Sequence, residues 1–145
     1  MSEEKLLNFE NTRDEVQVAN MKKIEAEGFC PFCPEHMEKY HTQPILRRGT
    51  YWYVTPNMYP YKHSVHHLLF ITNRHISNSL DLTALEWAEL QEHIAWVMKE
   101  QNLSHGTLLM RSGDMTKTGS SVLHLHAHLV VGSGNPEKPL MARVG

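Results

Sequence analysis

The sequence predicts an α+β fold: a mostly antiparallel five-stranded sheet, a long crossover helix and an N-terminal helix. Two observations support this class, namely short segments rich in aromatic and β-branched residues and two segments with helical spacing of apolar residues. A third is length, because 145 residues suit a single core. We expect a helical extension at 1–28, a main folded domain at 29–134 and a flexible tail at 135–145.

The first helix is predicted from its ends. Thr12 and Glu15 have the spacing of a capping box, in which each side chain binds the backbone of the other residue, and Gly28 is a helix stop. Apolar residues recur between them with near-helical spacing at Val18, Met21 and Ile24. The N-terminal helix is therefore expected to end at Gly28.

The second helix carries stronger signals and is predicted over residues 83–101. Thr83 and Glu86 form another capping box. One apolar stripe follows at Trp87, Leu90, Ile94 and Val97. We expect this stripe to face the core, whereas His93 on the same helix and His105 beyond it are expected at the surface.

Four strands can be assigned to segments: 50–54, 67–72, 106–110 and 122–131. The first two are separated by a loop that contains Pro56 and Pro60. The last two are separated by the polar segment 111–119. Because the connections are short and only one helical crossover intervenes, the sheet is expected to be mostly antiparallel, with helices on its apolar face.

Composition excludes several classes of partner. The chain has 14 Lys and Arg against 16 Asp and Glu, a net charge of −2, and no basic run that could follow a phosphate backbone. Its apolar stretches are too short to span a bilayer, and its acidic start lacks the apolar core of a signal peptide. We expect a cytoplasmic protein with a small-molecule partner, and neither long nucleic acid nor membrane.

Three of the eleven histidines, His124, His126 and His128, alternate with apolar residues in the last predicted strand. Successive side chains of a strand point to opposite faces, so the three imidazoles are expected to share one face. Imidazole can act near pH 7 as a nucleophile, a proton donor or a metal ligand. The spacing alone leaves these three roles open.

Both cysteines of the chain, Cys30 and Cys33, are separated by two residues. In a reducing cytosol this spacing favours half of a zinc site over a disulfide, and the βαβ context of a redox pair is absent from the sequence. Zinc needs two further ligands. Spacing leaves seven candidates open, which are His36, His41, His63, His66, His67, His75 and His124.

The run 119–131, Gly-Ser-Ser-Val-Leu-His-Leu-His-Ala-His-Leu-Val-Val, resembles the signature of the histidine triad family. Upstream, residues 67–75 resemble that family's second block, a strand with histidines at both ends. Asn57 lies where family members contact the ribose. Together these features cover residues 29–134 in the family's order, which is more specific than a lone His-x-His motif.

The resemblance implies nucleotide chemistry, in which the middle histidine attacks the α-phosphorus of a nucleoside monophosphate derivative and water then releases the nucleotide. His126 would be the nucleophile, His124 would orient it, and His128 with Ser121 would help the leaving group depart. The implied substrate-binding residues are Asn57, His67, Gly119, Ser120 and one of the pair Arg111 and Ser112. The substrate would be a phosphoramidate or a dinucleoside polyphosphate.

The Cys-x-x-Cys branch of the family implies four zinc ligands in this chain, Cys30, Cys33, His75 and His124. A site with four protein ligands has no position for water, so one structural zinc per chain is expected. Three other readings stay open: a nucleotidyltransferase, a catalytic zinc held by the His-x-His-x-His motif, and a nucleotide-binding module with little turnover. Relatives that pair through the long helix and a strand edge make a homodimer an expectation.

Overall fold

The computed structural model describes residues 4–9 and 15–145, in which a single sheet of five strands organises the chain. The strands are β1 (Arg47–Arg48), β2 (Trp52–Pro56), β3 (Ser64–Thr72), β4 (Thr107–Met110) and β5 (His126–Gly132). Their order across the sheet is β1-β2-β3-β5-β4, and every neighbouring pair is antiparallel. The predicted α+β class with a five-stranded antiparallel sheet is therefore confirmed.

In the described part of the chain, four α-helices and one short 3-10 helix (Ser79–Asp81) accompany the sheet. The α-helices are α1 (Glu15–Glu27), α2 (Met37–Tyr40), α3 (Ala84–Glu100) and α4 (Met115–Thr118). The Thr83–Glu86 capping box is present with both of its hydrogen bonds, so the predicted start of the long helix is confirmed. The other predicted capping box includes Thr12, which lies outside the described residues. Within the part of the chain that is described, no helix combines the length and hydrophobicity that a bilayer crossing requires.

Helix α3 covers one face of the sheet. Core residues there come from three strands and the helix: Trp52, Val54, Leu68, Phe70, Leu90, Val97, Ala127 and Leu129. Trp87, predicted on the buried stripe, is instead 46% exposed. His93 is buried rather than at the surface, because the loop before β2 folds over α3 and places three backbone N–H groups of residues 50–52 on the carboxylate of Glu89, beside His93.

The opposite face of the sheet is covered by α1, α2 and the segment 4–9. Met37 of α2 packs against Tyr53, Leu69 and Ile71 of the strands. Leu7 packs separately with two residues of α1, Met21 and Ile24. A cavity lies between these two clusters, and β5 forms part of its floor.

Strand β5 begins at His126, four residues later than the predicted start. Residues 122–125 pair with other parts of the chain: Val122 forms a bridge with Leu7, and the N–H of Leu125 donates to the carbonyl of Ile76. His124 therefore precedes the strand, and the expectation that three histidines alternate within one strand is wrong for this residue. The first predicted strand, 50–54, starts two residues before the observed β2. The backbone N–H groups at its start donate to the carboxylate of Glu89 instead of to a neighbouring strand.

Candidate active site and metal centre

His126 and His128 are two residues apart in β5, so both project from the face opposite α3, and both line the cavity. Their ring centroids are 4.9 Å apart. Nδ1 of His126 lies 2.6 Å from the backbone carbonyl oxygen of His124. A carbonyl oxygen only accepts, so Nδ1–H of His126 donates and Nε2 of the neutral ring is left with a lone pair. Such a nitrogen can attack phosphorus.

His128 is joined to His67 behind the cavity wall. The backbone N–H of Tyr61 donates to Nδ1 of His67 over 3.1 Å. Nε2 of His67 lies 2.8 Å from Nδ1 of His128 and 3.1 Å from Nδ2 of Asn57. The ring of His128 lies beside that of His126 in the cavity wall, where an imidazole can give up or accept a proton.

Arg111 places a buried cation beside His128. Only 9% of this arginine is exposed, and its Nη1 lies 3.4 Å from Nε2 of His128 and donates to the hydroxyl of Tyr61 at 2.8 Å. Two other nitrogens of the guanidinium, Nε and Nη2, donate to the backbone carbonyl of Arg143. The C-terminal segment thus holds Arg111 at the end of the cavity where His128 lies, an arrangement suited to anionic oxygens.

The other predicted substrate-binding residues, with the predicted catalytic residue Ser121, divide into two groups. Asn57, Gly119 and Ser121 line the cavity together with Arg111. Three do not line it: Oγ of Ser120 donates to the carbonyl of Val122, Oγ of Ser112 accepts from the backbone N–H of Ser79, and His67 lies behind His128. Of the pair that sequence left open, Arg111 is the residue at the cavity.

Much of the cavity wall could not be inferred from the sequence. Helix α1 contributes Gln17, Asn20, Met21 and Ile24, and Phe32 meets the ring of His126 edge-on at 4.9 Å. The empty space, including its part open to solvent, is about 880 Å³, within the range of small-molecule sites. Tyr61, which stacks on His128 with ring centroids 5.7 Å apart, has no sequence signal beyond its place after Pro60.

A second cluster of chemistry-bearing side chains adjoins this site. One ligand atom from each of Cys30, Cys33, His75 and His124 lies within 4.8 Å of all the others. It is the only such group of three or more among the described residues, so His36, His41, His63 and His66 belong to no cluster, and the three triad histidines do not form a ligand set of their own. The four residues are those that the family resemblance implied.

The distances in this cluster fit a tetrahedral zinc ion. Nδ1 of His124 lies 3.4 Å from Sγ of Cys30 and 3.7 Å from Sγ of Cys33, and Nδ1 of His75 lies 3.5 Å from Sγ of Cys33 and 3.2 Å from Nδ1 of His124. Bonds of about 2.0–2.3 Å to a tetrahedral ion put its ligand atoms about 3.3–3.8 Å apart. Two cysteines and two histidines are a common donor set of structural zinc.

Burial keeps both cysteines and His124 of this cluster uncharged at pH 7. Burial raises the pKa of the Cys33 thiol to about 12, with the neighbouring Cys30 adding to the effect, and burial also raises the pKa of Cys30. Burial lowers the pKa of His124 to about 4, so this imidazole is neutral at pH 7. A divalent ion would stabilise the thiolates that burial otherwise disfavours and would accept the lone pair of the neutral imidazole.

No protein-family model matches the chain. Among curated proteins, an AP-4-A phosphorylase from Mycobacterium tuberculosis is 34% identical over 89 residues. That match covers 59% of this chain and 45% of the relative, so the chain spans about half the length of the curated relatives it matches.

Solved structures share the architecture. A HIT family hydrolase from Clostridium thermocellum aligns with a TM-score of 0.58 at 22% identity, covering 78% of this chain and 98% of that one. A zinc-bound histidine triad family protein from Mycobacterium smegmatis aligns with a TM-score of 0.58 at 17% identity, covering 80% and 82%. At these identities the likeness establishes the fold alone, and it is the fold that the resemblance implied.

Proposed function

Since the chain has the fold of the histidine triad proteins, we propose that it is a nucleotide hydrolase that cleaves the bond between the α-phosphorus of a nucleoside monophosphate and its leaving group. The observation that carries this proposal is that His126 and His128 lie side by side in the cavity wall, with ring centroids 4.9 Å apart. His126 donates through Nδ1 to a carbonyl oxygen and so offers Nε2 as a nucleophile, and His128 offers an imidazole that can carry a proton to or from the reacting groups. A displacement at phosphorus requires a nucleophile, and an amine leaving group requires an acid as well.

In the first step, Nε2 of His126 forms a bond to the α-phosphorus while the bond from phosphorus to the leaving group breaks. A leaving amine takes a proton from His128 in its imidazolium form, which becomes a neutral imidazole, whereas a leaving phosphate departs as an anion. Arg111, next to His128, is suited to bind that phosphate through its forked donors. The product is a nucleotide joined covalently to His126.

In the second step, water attacks phosphorus and the bond to Nε2 of His126 breaks. The released proton of the water passes to His128 and restores its imidazolium form when the leaving group was an amine, and it passes to solvent when the leaving group was a phosphate. Ser121 and the backbone near Gly119, which line the cavity, are suited to hold the phosphate oxygens, and Asn57 is suited to hold the ribose. His67 keeps its hydrogen bond to Nδ1 of His128 and holds that ring in position.

The metal centre contributes to positioning. We propose one structural zinc ion per chain, bound by Cys30, Cys33, His75 and His124, where it would fix the cysteine loop to the residues that precede β5. The ring of His124 belongs to this cluster, and its backbone carbonyl oxygen accepts the hydrogen bond from Nδ1 of His126. Support for the ion comes from the distances, the donor set and the zinc-bound protein from M. smegmatis, which has the same fold.

The test is mass spectrometry of protein quenched during turnover of a nucleoside phosphoramidate or a dinucleoside polyphosphate. A nucleotidyl adduct on His126 is the expected result, and neither adduct nor product is expected from His126→Ala. An adduct on another residue would overturn the assignment. Wild-type protein that binds nucleoside monophosphate but gives neither adduct nor product would instead identify a binding module.

Transfer to phosphate is a second candidate, because the relative in M. tuberculosis is described as a phosphorylase. Inorganic phosphate would then replace water in the second step, and a nucleoside diphosphate would replace the monophosphate. Product analysis with and without inorganic phosphate separates hydrolysis from this transfer. A homodimer, a cytoplasmic location and the division of the chain at residues 28 and 134 remain predictions.

A further inference from the structure

Both histidines of the metal cluster have a hydrogen-bond partner on the ring nitrogen that faces away from it. Nε2 of His124 lies 2.6 Å from the carbonyl oxygen of Thr72, which can only accept. Nε2 of His75 lies 3.3 Å from a carboxylate oxygen of Glu4. Each partner accepts the Nε2 proton and leaves Nδ1 unprotonated, which is the form that binds a metal.

Glu4 belongs to a segment that is anchored beside the active site. The carbonyl of Leu6 accepts from the N–H of Leu123, and the N–H of Asn8 donates to the carbonyl of Ser121. Leu7 between them is 3% exposed. Segment 4–9 therefore pairs with the residues immediately before His124, and this pairing explains how a half-exposed carboxylate is held against a ring from a different loop.

We infer that Glu4 is a positioning residue of the metal centre that acts through His75. Its carboxylate accepts the Nε2 proton of His75, fixes the orientation of the ring and makes Nδ1 more basic toward the ion. The inference rests on the proposed zinc ion and adds to it a residue 26 positions before the first cysteine ligand. The neighbouring Glu35 also acts on the cysteines through its charge, yet it makes no hydrogen bond to either histidine of the cluster.

Zinc affinity tests the inference directly, measured by competition with a chromophoric chelator at fixed pH. Glu4→Ala is expected to bind zinc about 10- to 100-fold more weakly than wild type, the usual effect of losing such a partner. Glu4→Gln keeps an acceptor oxygen but no charge and is expected to lie between the two. Glu35→Gln removes the same charge near the cysteines and is expected to stay within about twofold of wild type.

Three results would overturn the role of Glu4. Unchanged affinity in Glu4→Ala excludes it, and an equal loss in Glu35→Gln assigns the effect to net charge rather than to the hydrogen bond. Wild-type protein that binds no zinc overturns the metal centre together with this inference. Thermal unfolding of the zinc-free proteins controls for folding, because a positioning role leaves the stability of Glu4→Ala without zinc equal to that of wild type.

Discussion

The backbone carbonyl oxygen of His124 accepts a hydrogen bond from Nδ1 of His126 at 2.6 Å, while the ring of His124 faces Cys30 and Cys33. One residue therefore belongs to the metal cluster through its side chain and orients the neighbouring imidazole through its backbone. Because a hydrogen bond to Nδ1 determines which nitrogen of His126 is unprotonated, the position of His124 sets the chemistry of His126. Loss of the metal is expected to affect both stability and turnover.

Zinc removal is the first prediction. Zinc that binds the folded chain and not the unfolded one stabilises it by about 2.7 kcal/mol when free zinc exceeds its Kd by 100-fold. The free energy of unfolding, measured by urea denaturation with and without zinc, is expected to differ by about this amount for wild type and by close to zero for Cys30→Ala.

His36→Ala is the control for this prediction, since Cys30, Cys33 and His36 have the spacing of a compact chelator. The ring of His36 belongs to no described metal cluster, so this variant is expected to keep one zinc ion and the full stabilisation. Loss of zinc in His36→Ala would show that the ligand set is wrong.

Fold prediction succeeded where the signal was local. The start of α3 was predicted to within one residue because the capping box uses only Thr83, Glu86 and their own backbone. The start of β5 was missed because the partners that end the ladder before His126, Leu7 and Ile76, are far away in sequence. The burial of His93 was missed for the same reason, since the loop that covers it belongs to another element.

The same distinction between local signals and distant partners applies to the prediction of the site. The spacing of the cysteines left seven histidines open, and only the family resemblance selected His75 and His124, which the fold brings together with the cysteines. Nothing local in the sequence links Arg111 to the carbonyl of Arg143, or α1 to the cavity. These relationships arise from tertiary packing between segments whose own sequences carry no motif.

The hydrogen bond between His67 and His128 gives the second prediction. His67→Phe removes this hydrogen bond to Nδ1 of His128, so the ring of His128 is no longer held in position to protonate the leaving group. Amines leave only when protonated, so kcat for a phosphoramidate is expected to fall on the order of 10- to 100-fold, with KM changed less than about threefold. Steady-state kinetics as a function of pH is the measurement.

His66→Phe is the matched control, because the adjacent residue of β3 points to the other face of the sheet. It is expected to keep the kcat of wild type. An equal fall in both variants would mean that the strand, rather than the hydrogen bond, was disturbed.

Arg111 gives the third prediction, which concerns the leaving group. Charge-assisted hydrogen bonds contribute about 1.5–3 kcal/mol, so Arg111→Lys, which loses the fork, is expected to lower kcat/KM for a dinucleoside polyphosphate about 10- to 100-fold. A phosphoramidate whose amine leaving group carries no phosphate is expected to lose less than about threefold.

Arg47→Lys provides the control, because Arg47 lies in β1 over the ring of Trp96. This variant is expected to leave kcat/KM unchanged for both substrates. Because Arg111 is buried, thermal unfolding must accompany the kinetics. An equal loss of kcat/KM for the two substrates would show that Arg111 does not recognise the leaving group.

The fourth prediction concerns the ion pair between Arg74 and Glu86. Glu86 is 1% exposed, its Oε1 lies 2.7 Å from Nη2 of Arg74, and it also accepts the N–H of Thr83. The hydrogen bond from Arg74 is the largest cause that lowers the pKa of Glu86 below its ordinary 4.5. Since half of the Arg74 side chain is exposed, Glu86→Gln is expected to cost about 1–3 kcal/mol at pH 7.

The sign of the pH dependence follows from that lowered pKa. The unfolded chain takes up a proton at Glu86 near pH 4.5, whereas the folded chain does so only at lower pH, so this contribution to stability is full above pH 4.5 and disappears as pH falls through the folded pKa. The difference in unfolding free energy between wild type and Glu86→Gln is therefore expected to shrink below pH 4.5 in urea titrations.

Glu92→Gln changes the same charge at an exposed position of α3 and is expected to leave stability within about 0.5 kcal/mol of wild type at every pH. A constant difference between wild type and Glu86→Gln from pH 7 to pH 3 would contradict ionisation of Glu86 in the folded protein.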